Sequence, residues 1–205
     1  MRGEDASHSS RIPLTQINFH HSLFTIHYLY RMILIVATTN RKNSKTYKVA
    51  EYYQQLLQRL DADAEILALE NLPSDFAFSA LYENMGKNED FNHYKIQMDD
   101  ADKYVFIVPE YNGSFPGVLK TFIDGLGWPN SISGKKAAFV GISDGVLGGA
   151  HALSHLTDVF HYLGCHVLSN IVRIPFMKKN FTEGEIQDEM IRKLTIDQAK
   201  ALIGF

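Results

Sequence analysis

The run "MILIVAT" at 32–38 is apolar without a break and rich in β-branched side chains. That is the pattern of a strand covered on both faces, and it narrows the fold more than any other feature of the chain. Comparable runs follow as "AEILAL" at 64–69, "KYVFIVP" at 103–109 and "KKAAFVGIS" at 135–143, with a short fifth strand near 165–170. Helical spacing fills the intervals. Val49, Tyr53, Leu56, Leu57 and Leu60 predict a helix over 45–61, a second spans 115–127, and Leu153, Leu156, Phe160 and Leu163 mark a third that closes at Gly164. Residues 71–98 read as loop-like "NLPSDF" and then one or two helices up to Met98. Thr182 with Glu185 predicts a capping box, and Ile186, Met190 and Leu194 supply the last helix with an apolar face. Buried-type strands alternating with helices predict an α/β domain: a five-stranded parallel sheet with helices on both faces and right-handed crossovers.

Of the 205 residues, 45% are hydrophobic and 21% charged, which suits one packed domain over 32–205. Residues 1–31 differ, with histidines scattered through weakly apolar sequence and no pattern of a signal peptide or a membrane span. The expectation for them is a mis-set start or a disordered extension, the alternative an arm that docks on the domain or a partner. A formal charge of −3 with no arginine- or lysine-rich patch argues against nucleic acid. The single cysteine, Cys165, excludes an internal disulfide and suits a reducing, cytoplasmic compartment.

Open sheets of this kind bind ligands beyond the carboxyl ends of their strands, where strand order reverses. Three loops fall there. The first, "TTNRKNSKT" at 38–46, offers hydroxyls at Thr38, Thr39, Ser44 and Thr46 and a guanidinium at Arg41, ahead of a helix whose first N–H groups favour an anion. It lacks the glycines of a dinucleotide or P-loop motif, so a terminal monophosphate fits better than a pyrophosphate. The second sets Pro109, Glu110 and Tyr111 at a strand end, with Asn112-Gly113 able to form a tight turn whose backbone N–H groups face a planar heterocycle. The third, "GISDGVLGGAHA" at 141–152, brings Ser143, Asp144 and four glycines, of which Gly148 and Gly149 permit close backbone approach to a ligand or a helix.

Two rival chemistries arise in the third loop and the helix after it. "GISDG" fits the G-x-S-x-G nucleophile elbow, but a hydrolase places an acid and then a histidine on later loops, and His166 comes too early. His151, His155 and Asp158 stand at i, i+4 and i+7, a spacing able to hold zinc. The apolar stripe already accounts for that helix, so a solvated or interface-facing cluster, with no metal, is the expectation.

Taken together these loops resemble the NADPH-dependent FMN reductase family, flavodoxin-like enzymes that include quinone and chromate reductases. "PEYNGSFPGVLKTFID" at 109–124 follows the family's P-E-Y-N-x-S-x-P-G-x-L-K-x-x-I-D almost throughout, and "SDGVLGG" at 143–149 follows S-x-G-x-x-G-G. Against G-S-x-R-x-x-S-x-N the first loop keeps Arg41 and Ser44, with Thr38, Thr39 and Thr46 replacing glycine, serine and asparagine. The resemblance implies an FMN phosphate among Thr39, Arg41, Ser44 and Thr46. It also implies that Pro109, Glu110, Tyr111, Asn112 and Gly113 line the isoalloxazine and pyrimidine side, and that Ser143, Asp144 and Gly145 approach from the adjacent loop. The activity implied is NADPH- or NADH-dependent hydride transfer through flavin N5 to a quinone, free flavin or similar small acceptor, in a cytoplasmic homodimer or homotetramer with no membrane partner. The helices over 115–127 and 151–162 are then the interface candidates. A flavodoxin-type electron carrier is the runner-up, disfavoured because such carriers are much more acidic; a cofactor-free scaffold is a third reading.

Overall fold

The computed structural model describes residues 32–205; both expectations for 1–31 lie outside the described residues. Five parallel strand positions run in the order β2 (Ala64–Ala68), β1 (Ile33–Ala37), β3 (Lys103–Pro109), β4 (Lys136–Ile142), β5 (His166–Val167). All of β1 and β3 is buried, as their unbroken apolar runs require. The fifth position is filled in two pieces, because β6 (Val172–Ile174) also pairs with β4, matching Val140 to Val172 and Ile142 to Ile174. The strand expected near 165–170 therefore breaks after Val167 and resumes further along, ending at Pro175, which has no N–H for a ladder.

Each face of the sheet carries its own core. On one side α1 (Lys45–Arg59) and α7 (Glu189–Gly204) cover Ile35, Val105, Val140 and Ile174. On the other, α3 (Glu89–Asp100), α4 (Gly117–Gly125) and α5 (Ala150–Tyr162) cover Leu34, Phe106 and Phe139. Between β2 and α3 lie the short α2 (Phe76–Ser79) and two single-turn 3-10 segments, Leu69–Asn71 and Tyr82–Asn84, so residues 71–98 hold two α-helices. The helix expected over 115–127 is shorter, with Pro116 at its N-cap.

The last helix departs from the sequence expectation. Thr182 and Glu185 do not cap it; they belong to a hairpin of β7 (Phe181–Thr182) and β8 (Glu185–Ile186), which follows the single-turn α6 (Met177–Asn180). Glu183 and Gly184 turn that hairpin with φ of 53° and 78°, and Phe181 and Ile186 are its buried residues. The helix starts at Glu189, with Asp188 accepting the Ile191 N–H at 2.9 Å. Met190 and Leu194 are 64% and 47% exposed, while Thr195, Gln198, Ala199 and Leu202 face inward. Polar contacts set this register. The Tyr53 hydroxyl donates to Gln198 Oε1, Gln198 Nε2 donates to the Phe139 carbonyl, and buried Lys103 donates to the Leu202 carbonyl at the helix end. Asp188→Ala should therefore cost about 1 kcal/mol of unfolding free energy. Thr182→Ala, exposed in the hairpin, should stay within about 0.5 kcal/mol. Urea denaturation of both variants checks the assignment.

Candidate active site

Strand order reverses between β1 and β3, and at the carboxyl ends of β1, β3 and β4 lies a cleft of about 290 Å³. Residues of all three loops line it.

In the first loop Asn43 takes a left-handed φ of 53° directly before the N-cap Ser44, a conformation asparagine adopts more readily than most side chains. Ser44 Oγ accepts the Tyr47 N–H at 3.1 Å, and no acid stands in the first turn of α1 to oppose its positive end. Arg41, Lys42 and Lys45 surround the opening, with Ser44 and Thr46 beside them, so this part of the cleft suits an anion. The two threonines at the loop's start do not line the cleft. Thr38 is buried and donates to the Ile107 carbonyl at 2.8 Å. Thr39 is 1% exposed; its hydroxyl lies 2.6 Å from that of Tyr111 and accepts the Arg41 N–H at 3.2 Å.

Tyr111 and Ser114 exchange backbone hydrogen bonds of 2.8 and 3.0 Å, with Asn112 and Gly113 between them at φ 52° and 77°. This is the two-residue turn that an Asn-Gly pair favours. The Asn112 and Gly113 N–H groups lie outside the turn's own bonds, at an exposed tip. Pro109, Glu110 and Tyr111 line the cleft behind it. Glu110 N–H is held by the Ile142 carbonyl, while Glu110 Oε2 is buried with no hydrogen-bond partner among the described residues. A carboxylate oxygen in that state is costly unless something in the cleft donates to it.

Ser143 and Asp144 line the third side, and Gly145 donates its N–H to Ser143 Oγ at 2.9 Å. The later glycines serve the sheet. A Cβ on Gly148 would sit 3.0 Å from Pro175 N, and one on Gly149 would sit 3.3 Å from the Gly141 Cα. Gly141 is tighter still, with its added Cβ 2.6 Å from the Gly148 carbonyl oxygen and 2.8 Å from Leu153. Gly141→Ala should push the 143–149 loop off β4 and cost about 1–3 kcal/mol, measured by thermal unfolding. A fourth loop also reaches the cleft, through Met177 after β6, whose N–H is held by the Ser143 carbonyl. Sequence reasoning missed it, although "VRI", with Val172 and Ile174 alternating about Arg173 ahead of Pro175, was a strand-end signal.

The rival chemistries lack their geometry. The hydroxyl of Ser143 accepts from its own loop, and its backbone lies outside the left-handed region, unlike the strained serine of a nucleophile elbow. His151, His155 and Asp158 are exposed on α5, and His155 Nδ1 lies 3.0 Å from Ser114 Oγ. Among the described residues no three His, Cys, Asp or Glu side chains gather closely enough to hold a metal ion. Burial pushes the Cys165 thiol up to about 12, far from a reactive thiolate.

A parallel sheet in the order β2-β1-β3-β4-β5, helices on both faces and a cleft at its switch point define the flavodoxin-like fold. The chain belongs to the NADPH-dependent FMN reductase family, whose model matches residues 31–178. It is 40% identical over 105 residues to a 2-hydroxy-1,4-benzoquinone reductase of a Burkholderia species, covering 44% of this chain and 57% of that one. It is 37% identical over 113 residues to an NAD(P)H-dependent FMN reductase of Pseudomonas aeruginosa, covering 53% of this chain and 61% of the other. The chain thus matches about three fifths of the length of these curated relatives. The fold is similar to that of a flavoenzyme NAD(P)H:(acceptor) oxidoreductase from Paracoccus denitrificans, with a TM-score of 0.70 at 24% identity over 85% of this chain and 96% of that one.

Proposed function

We propose that the protein is an FMN-dependent NAD(P)H oxidoreductase that reduces a quinone, free flavin or similar small acceptor. The observation that carries this is the cleft itself, where basic and hydroxyl side chains at the start of α1 face Glu110, whose Oε2 lacks a partner among the described residues; the Asn112-Gly113 turn stands beside the cleft, outside its lining. These groups fit FMN. The N-terminus of α1, Ser44, Thr46 and the Arg41 fork suit its phosphate. The Asn112 and Gly113 N–H groups suit the carbonyl side of its ring, and Glu110 suits a ring or ribityl donor. The chemistry FMN supplies when bound is hydride transfer at N5 between NADPH or NADH and the acceptor. The protein's part is to hold and tune. Turn amides fixed by the Tyr111–Ser114 bonds are preorganised dipoles for negative charge, and no side chain is required as a nucleophile.

Assembly as a homodimer or homotetramer belongs to the same reading. The apolar stripe of α4 is already used, since Leu119, Phe122 and Ile123 are buried. What supports assembly is a groove of about 500 Å³ between α4 and α5, where Tyr162 is 85% exposed. No described helix is long and apolar enough to cross a membrane. A cytoplasmic location belongs to the same proposal, with NADPH or NADH as the donor.

The test is reconstitution with FMN followed by turnover with each nicotinamide donor and a benzoquinone. Donor oxidation that depends on both FMN and the quinone is expected. Bound FMN that only dithionite can reduce would favour an electron carrier and overturn the enzyme.

A further inference from the structure

Thr39 follows β1 as Tyr111 follows β3, and their hydroxyls meet 2.6 Å apart across the crevice where strand order reverses. We infer that Thr39 is a positioning residue, whose single hydroxyl joins the phosphate loop to the flavin loop and acts on the cofactor through Tyr111 and Arg41. This rests on the FMN reading above.

A hydroxyl has one proton and two lone pairs. One lone pair of Thr39 Oγ1 takes the Arg41 N–H at 3.2 Å, and the Tyr111 hydroxyl takes the proton or the other lone pair. Thr39 is 1% exposed and does not line the cleft, whereas Arg41 and Tyr111 both do. The threonine therefore sets two groups that meet opposite ends of the same ligand. Its Arg41 bond fixes the backbone of the residue bearing the guanidinium. Its Tyr111 bond fixes the aromatic that opens the Asn112-Gly113 turn, whose other end is bonded through Ser114 Oγ to His155. Phosphate and ring are then read by two loops that cannot shift independently.

The experiment compares Thr39→Val, which keeps shape and removes the hydroxyl, with Thr39→Ser, Tyr111→Phe and the double variant Thr39→Val/Tyr111→Phe. Affinities for FMN and for riboflavin, which lacks the phosphate, are read by quenching of flavin fluorescence. The expected result is about a 3- to 10-fold loss of affinity for both flavins in each hydroxyl-lacking single variant. Thr39→Ser should recover wild-type values, and the double variant should be no worse than Thr39→Val. Independent, multiplying losses in the double variant would overturn the inference, since the two hydroxyls would not be acting as one link. So would a loss confined to FMN, which would place Thr39 on the phosphate directly. Should Thr39→Val fold poorly, half-buried Tyr111 offers the same comparison through Tyr111→Phe. Wild-type protein that binds neither flavin overturns the proposed function and this inference with it; wild-type binding with unchanged variants overturns this inference alone.

Discussion

Arg41→Ala lowers FMN affinity by about 10- to 100-fold, the range expected when a charge-assisted, two-pronged contact to phosphate is lost. Arg41 is exposed at the mouth of the cleft, so its charge is solvated before a ligand arrives and the loss falls toward the lower figure. Two controls fix the cause. Riboflavin affinity stays at the wild-type value, because the guanidinium has no phosphate to meet. The difference between wild type and variant also narrows as salt is added, since screening weakens an exposed ion pair. Lysine at this position recovers only part of the affinity, because a point charge lacks the planar fork. Unchanged FMN binding in Arg41→Ala would remove the phosphate from this end of the cleft.

Phe106→Ala costs about 3–5 kcal/mol of stability, the largest single-residue effect expected in the chain. Phe106 is fully buried in the middle of β3, with ring centroids 4.9 Å from Phe160, 6.0 Å from Phe139 and 5.8 Å from Tyr104, all in edge-on arrangements. Truncation removes the ring that joins the sheet to α5 and leaves a cavity that three other aromatics cannot close without leaving their own rotamers. Against a total stability of roughly 5–15 kcal/mol for a domain, that is a large fraction. The midpoint in urea falls while its slope holds, and FMN affinity of the folded fraction is unchanged because the gap lies between mid-β3 and α5, away from the residues that line the cleft. A loss below about 1 kcal/mol would mean that α5 is not anchored through this ring.

The parts of the fold that could be read from the residues share one property: their burial leaves a one-dimensional trace. β1 and β3 are covered on both faces and so run apolar without interruption, and α1 repeats Val49, Tyr53, Leu56 and Leu57 at the helical period. The run from Pro109 to Asp124 was equally plain, because a strand end, a turn and a helix start each demand particular residues in order. The misreading of 182–194 has the opposite cause. Thr182 and Glu185 satisfy the capping pattern as spaced, yet Phe181 and Ile186 bury as a hairpin pair and α7 takes its register from bonds to Tyr53, Phe139 and Lys103, partners distant in the chain. The fifth strand was seen only in part, since a few paired residues on either side of a break give no period. At the site, the loops were legible and their ties were not. Thr39 and Tyr111 are separated by 72 positions, and only the pairing of β1 with β3, which sets Ala37 against Ile107, brings them together. The same holds for Met177, which reaches the cleft through the second half of a divided strand.

The most direct measurement is a single anaerobic reduction. Protein reconstituted with FMN and freed of excess is mixed with one equivalent of NADPH, then of NADH in a separate cuvette, while the visible flavin band is followed. Prompt bleaching by one or both donors, reversed on adding a benzoquinone, is the predicted result, and the faster donor names the physiological nucleotide. A flavin band that persists with both donors and bleaches only with dithionite, or protein that retains no FMN, would contradict the account.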